Sequence, residues 1–591
     1  MKVNGKEWML DDELSERWPI YTRGNVGEVF PDTVTPLNWS LVGQEVEDSW
    51  RQAWKEFGIV ARGDFDKDRV LCCIAGGYCY LNMSYIRLLG VRVPGGAVKA
   101  VDNQILGEDV TAPKYIRQKG DNNLGSSFRL LWDQEKTLRT RRFTITEKMS
   151  KFAADWVEAY PGDDAPDEAF LAYIHEYRRI HNYLFGRHIL NTFRATNASG
   201  AVAALCAMKV KDPGLTLDLM SGVEGVESAE PARMLWEMGR MVRVSSRLTA
   251  VFESGVTRET LAQLRTMPDA TDFLAQFDDF IARYGYRGPN EWEFMSKPWR
   301  MRPETPLKII DRLRQASADK APGADYAAQK LNRQQATRYA RRKLAKHPMD
   351  FLKFRKALPA AKVWQILREA SKSAVIRALD STRRAMYVLA NRVAERHGLD
   401  DPDGMFMLHI DELEDYVRDP RPFLDRIVER RKDYDALAER IPPFIFEGEI
   451  PPLETWKKRA GEEHEAGTKG DILEGVGGAP GRVVGIARVV LDASDPDILE
   501  PGDILVAPIT DPSWTPLFLA AAGVVVDVGA VMSHAVIVAR DLGIPCAVSV
   551  TDATRIIPDG ALIEVDGDTG AVSIIATDPD PATIDKYMTA A

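Results

Sequence analysis

The sequence predicts a multidomain protein in which a long, mostly α-helical region is followed by a compact α/β domain. Three observations carry that prediction. The chain has 591 residues, too many for one ordinary hydrophobic core. Up to about residue 440 its apolar residues recur at three- and four-residue spacing, the period of helices with one buried face. Beyond residue 473 the pattern changes to short β-branched runs separated by glycine turns.

In chain order, VEDSWRQAWKEFG (46–58), DEAFLAYIHEYRRIHNYLFGRHILNTF (167–193) and PARMLWEMGRMVRVSSRLTAVFE (231–253) read as amphipathic helices. A more basic stretch from 310 to 440 continues the helical period in RQQATRYARRKLAKH, KVWQILREASKSAVIRALDSTRRAMYVLANRVAERHG and RPFLDRIVERRKDYDALAERI. Its cationic run Arg341, Arg342 and Lys343 reads as a solvated helix face, because no aromatic residues interleave it to stack on bases. From 441 to 472 prolines, glycines and charges oppose a continuous packed element, so this stretch is expected to be a linker. RVVGIARVVL, GDILVAP, AGVVVDV, PCAVSV, ALIEVD and AVSII then supply the strands of a domain over 473–580, followed by a tail, 581–591.

Composition removes several functions. A net charge of -10 gives no overall field to attract nucleic acid or an anionic membrane surface. The most apolar run, 516–539, is broken by Asp527, glycines and His534, and the N-terminus lacks the apolar core of a signal peptide, so a soluble cytoplasmic protein is expected. The five cysteines are scattered, with neither a disulfide framework nor a zinc spacing, and Cys72, Cys73 and Cys79 fall in an apolar run where burial explains them. No metal is assigned to this chain.

The most informative segment is GAVMSHAVIVAR, 529–540, which follows the apolar strand AAGVVVDV and opens an apolar helix. Ser533 stands where it can cap that helix, and His534 falls in the first turn. Unpaired backbone N–H groups and the positive end of the helix dipole there favour an anion on the ring, as a phosphoryl carrier requires.

Together with GDILVAPITDPSWTPLFLAAAG (502–523) and DLGIPCAVSVTDATRIIPDGALIEVDGDTGAVSII (541–575), this motif resembles the swivelling phosphohistidine domain of the phosphoenolpyruvate-utilising enzymes. The resemblance runs from GVGGAPGRVVGIARVV (475–490) nearly to the end of the chain and implies that His534 is the residue phosphorylated. Upstream, GNVGEVFPDTVTPLNWSLVG (24–43), RYGYRGPNEWEFMSKPWR (283–300) and LREASKSAVIRALDSTRRAM (367–386) resemble the substrate domain of rifampicin phosphotransferase and related aryl-phosphorylating enzymes. Residues 1–440 are then the acceptor domain.

A phosphoryl group in transit needs cations to hold it while its charge redistributes. Arg368 and Lys372, four apart on a predicted helix, share a face and offer a planar fork and a movable point charge. The family's Arg-then-Lys pattern, RExxK, places phosphate contact on these two. Ser371 stands where rifampicin enzymes are expected to have proline. Arg287 and Glu291 fall in another similar segment and read either as a buried ion pair or as pocket lining.

The sequence has no GxxxxGK[ST] loop, and GVGGAPG fails GxGxxG because Pro480 takes the last glycine's place. The resemblance to phenylphosphate synthase and to aryl-ketone kinases implies a two-component dikinase. In it, a separate ATP-grasp subunit holding ATP and Mg²⁺ loads His534, releasing AMP and phosphate, and this chain binds no nucleotide tightly. The expected acceptor is a small phenolic compound, whose pKa near 10 calls for a general base that the sequence does not name. A rifamycin-type antibiotic phosphotransferase and a phosphohistidine carrier or regulatory protein without its own acceptor are the alternatives.

Overall fold

The computed structural model describes residues 1–93, 96–107, 112–141, 144–212, 214–220, 229–316, 321, 326–459, 466–491, 499–500, 502–510, 514–529 and 533–588. Two helices organise the first part: Asp167–Leu205, 39 residues, and Pro348–His397, 50 residues. They pack on one another, and Pro36–Phe57 packs on the first. Their ends follow local chemistry. Thr35 caps Pro36–Phe57 by accepting from Asn38 N–H, with proline at the first helical position, and Gly58 ends it at φ 99°. Pro348 opens the 50-residue helix and Gly398, at φ 66°, closes it. The predicted helix 231–253 is two helices, Ala229–Val244 and Ser246–Glu253, because Ser245 leaves helical geometry and caps the second by accepting from Leu248 N–H.

Helical periodicity concealed a small antiparallel sheet in this region, ordered Cys72–Ala75, Tyr78–Asn82, Ile20–Thr22, Ile445–Glu447. Its hairpin turns through Gly76 and Gly77, at φ 56° and 73°, and a Cβ on Gly77 would meet Leu437 Cδ1 at 2.6 Å. Cys72, Cys73 and Cys79 are buried in these strands.

The stretch expected as one linker, 441–472, is instead built largely into the two bodies it joins. Ile445–Glu447 pairs with Ile20–Thr22, and Trp456 is buried against Tyr78 at 5.9 Å between ring centroids. At the other end Gly467 N–H donates to Ile556 C=O, and Ile472–Leu473 pairs with Val572–Ala576. Prolines and glycines in this stretch break helices without preventing edge pairing. Residues 460–465 lie outside the described residues.

The second body is one eight-stranded sheet, ordered Ile472–Leu473, Val572–Ala576, Leu562–Asp566, Arg482–Val489, Ile504–Ala507, Gly523–Val526, Cys546–Val548, Val476–Ala479. The four strands from Arg482–Val489 to Cys546–Val548 run parallel, and the flanking strands are antiparallel. Apolar clusters lie on both faces, around Phe518 and Val536 on one and around Ile563 and Val550 on the other. Pro581–Met588, within the expected tail, is helical. The body rests on the helical part: Gln329 Nε2 donates to Arg540 C=O at 3.1 Å, and Arg555 Nη2 to Lys458 C=O at 3.1 Å. Among the described residues no helix is long and apolar enough to cross a membrane.

A buried ion pair anchors Leu88–Arg92, whose Leu89 and Gly90 help wall the cavity described below. Arg92 donates from Nη1 and Nη2 to the two Asp64 oxygens at 2.6 and 2.9 Å, both residues being almost fully buried. Burial alone would raise the Asp64 pKa, but the Arg92 bonds, Ala61 N–H and the guanidinium charge outweigh it and hold the pKa low. Its contribution to stability is therefore present above the unfolded-state carboxylate pKa and lost as pH falls through the lower folded value. Asp64→Ala should destabilise the protein by about 3–5 kcal/mol, because it leaves a buried guanidinium unpaired. Urea unfolding at neutral pH measures this, and a loss below 1 kcal/mol would count against it.

Candidate functional site

Gly523–Val526 ends in a turn that leads into the helix His534–Leu542. Ala530, Val531 and Met532 lie outside the described residues. His534 is the first helical residue, at the dipole's positive end. Its Nδ1 is 3.2 Å from Thr510 Oγ1 and its ring meets Phe518 edge-on, 5.9 Å between centroids. Ser533 occupies the cap position, with φ -69° and ψ 165°, but its side chain makes no capping bond. The expected cap is thus positional only, and the buried Oγ has no hydrogen-bond partner among the described residues.

His534 opens on a cavity of about 500 Å³ between the two bodies. Arg287, Arg368, Glu369, Lys372 and His188 line it from the helical side, and Ser533 and His534 from the sheet side. Most of the remaining wall is apolar, including Phe30, Trp50, Leu81, Phe185, Phe193 and Trp292. Burial, then the charge of Lys372, lower the His534 pKa to about 3; Arg287 and Arg368 add to this, and Glu369 opposes it. The ring is therefore neutral at physiological pH, with a lone pair available for phosphorus.

The cations are held by carboxylates. Lys372 Nζ is 3.4 Å from Glu291 Oε2, and Arg287 Nη1 is 3.3 Å from Glu291 Oε1. Burial would raise the Glu291 pKa, but Lys372 and Arg287 bring it below its ordinary value. Arg287 lines the cavity while Glu291 is buried behind it, so the ion-pair and pocket-lining readings both apply to Arg287. Arg383 fixes this turn by donating to the Glu291 and Glu293 carbonyls at 2.6 and 3.0 Å. Arg368 pairs with Glu369 at 2.7 Å; burial works against ionisation of Glu369, but Arg368 and Lys372 pull its pKa down to about 2.

Sequence reasoning gave no role to Glu369 or His188. Glu369 is the second residue of the RExxK pattern, which was the available signal. His188 lies on an apolar helical face, where a histidine looks like ordinary packing. Ser371, the departure from the expected proline, donates from Oγ to Arg368 C=O at 2.8 Å and is 3.0 Å from His188 Nδ1.

A histidine at the head of a helix, facing three cations and an apolar chamber across a domain interface, can hold an anionic group beside a hydrophobic molecule. The model of the PEP-utilising enzyme mobile domain matches residues 499–570, which contain His534, and that of the rifampicin phosphotransferase fourth domain matches 187–369, which contain His188, Arg287, Glu291 and Arg368. In these two segments the chain is similar to the PEP-utilising enzymes and to rifampicin phosphotransferase. It is 26% identical to the prodigiosin synthesizing transferase PigC of Serratia marcescens over 96% of its own length and 64% of the relative's. It is 30% identical to a rifampicin phosphotransferase of Streptomyces sviceus, over 60% of its own length and 40% of the relative's. An uncharacterized protein of Mycobacterium tuberculosis is 38% identical over 36% of this chain and 24% of its own length. The chain thus spans between a quarter and two thirds of the length of these curated relatives.

Proposed function

We propose that this chain transfers a phosphoryl group from His534 to the hydroxyl of a small phenolic acceptor. One observation carries the reading: the neutral histidine, the cations Arg287, Arg368 and Lys372, and an apolar cavity of about 500 Å³ meet in one place. An aromatic ring suits the wall of Phe, Trp, Leu and Val side chains, while the cations suit a group carrying nearly two negative charges. Arg368 and Lys372 steady that group as it passes from nitrogen to oxygen. Arg287 supports them through Glu291. ATP with Mg²⁺ on a separate ATP-grasp subunit supplies the group, AMP and phosphate being released.

Similarity to rifampicin phosphotransferases favours a second reading, a bulky antibiotic hydroxyl as acceptor, and a cavity of about 500 Å³ is roomy enough for a drug-sized molecule as well as for a phenol. The test is isotope exchange by the purified chain between labelled phenol and phenyl phosphate, which needs no ATP. Exchange should occur with wild type and be absent with His534→Ala. A wild-type chain that exchanges no phenol, yet phosphorylates a rifamycin once supplied with a donor, would replace the first reading by the second.

A further inference from the structure

We propose that His188 is the general base that takes the acceptor's proton as the phosphoryl group leaves His534, an inference that rests on the phosphohistidine reading above. His188 stands on the long helix Asp167–Leu205 and lines the same cavity as His534. Its ring is flanked by Trp292 and Phe185, with centroids at 6.2 and 6.5 Å, so it borders the part of the cavity suited to an aromatic acceptor.

The hydrogen bonds favour one basic nitrogen. Ser371 Oγ lies 2.8 Å from Arg368 C=O, to which it donates. With its hydrogen placed there, Ser371 Oγ accepts from His188 Nδ1–H at 3.0 Å. That tautomer leaves the lone pair on Nε2. Ser371 is a positioning residue here, giving its substitution at the expected proline position a chemical consequence.

The other titratable groups lining the cavity are cations, partnered carboxylates, a buried thiol and His534 itself. Arg23, Arg287, Arg368 and Lys372 are cations. Glu369 is tied to Arg368, Glu28 is already partnered, and the Cys72 thiol is buried against Cys79. Burial, then Lys372, lower the His188 pKa to about 3, keeping the ring neutral before the reaction. A negatively charged phosphoryl group in the cavity offsets Lys372 and strengthens the base when it is needed.

The step balances without a further reactant. The acceptor O–H bond breaks and its proton goes to His188 Nε2. The oxygen's electron pair forms the O–P bond, the P–N bond to His534 breaks, and its electrons return to the His534 ring.

In the reverse direction protonated His188 must give that proton to the departing phenolate, which allows a test on the chain alone. Phenol/phenyl phosphate exchange is compared with 4-nitrophenol/4-nitrophenyl phosphate exchange, because 4-nitrophenol is much the stronger acid and its anion leaves unaided. His188→Ala should slow phenol exchange ~10²–10³-fold and 4-nitrophenol exchange less than ~10-fold. His188→Gln, which retains an N–H for Ser371 but no base, should show the same split. Equal losses with both phenols in both variants would make His188 structural and overturn the proposal. If wild type exchanges neither phenol, the phenolic reading itself fails and takes this assignment with it. A selective loss with both variants would establish the base.

Discussion

His534→Ala should abolish phosphoryl transfer to below detection while leaving the fold intact. Covalent transfer needs an atom that carries the group, and no neighbouring side chain can substitute. His188 shares the cavity, but its Nδ1 is engaged with Ser371 and it does not stand at a helix N-terminus. Losing the ring's edge-on meeting with Phe518 and its approach to Thr510 should cost on the order of 1 kcal/mol of stability. Incubation with the ATP-grasp subunit we propose and MgATP should add one phosphoryl mass to wild type and none to the variant. Urea unfolding of the two proteins should nearly coincide. Label on the variant, or continued exchange of phenol, would remove His534 from the mechanism.

Local signals made the second body legible. Short β-branched runs became the strands Ile504–Ala507, Gly523–Val526 and Leu562–Asp566, and the apolar segment after the serine became the helix His534–Leu542. The helical character of the first body was equally plain, because 3.6-residue periodicity over the long helices is hard to mimic by chance. The sheet Cys72–Ala75, Tyr78–Asn82, Ile20–Thr22, Ile445–Glu447 was not, since its last strand arrives from a distant, proline-rich stretch and no local pattern records such pairing. For the site, sequence supplied the residue types but not their assembly. Arg287 and Arg368 lie far apart in sequence, and the packing of the turn after Tyr284 against the 50-residue helix brings them to one cavity. His188 carried no signal, because its significance lies in a hydrogen bond to a serine on another helix.

Arg368→Ala and Lys372→Ala should separate the two half-reactions. Both residues line the acceptor cavity on the 50-residue helix, and both stand close enough to His534 to depress its pKa. If their work is to hold the phosphoryl group at the acceptor, loading of His534 by the ATP-grasp subunit we propose should stay within a few-fold of wild type. Transfer to phenol should fall ~10²–10³-fold, the usual cost of removing one preorganised charge donor from a transition state. Lys372→Ala carries a second consequence, because it takes from Glu291 one of its two cations and leaves that buried carboxylate with Arg287 alone. Single-turnover transfer from preloaded protein to labelled phenol, beside the rate of loading, measures both quantities. Equal losses in loading and transfer would assign the pair to folding or docking of the domains instead.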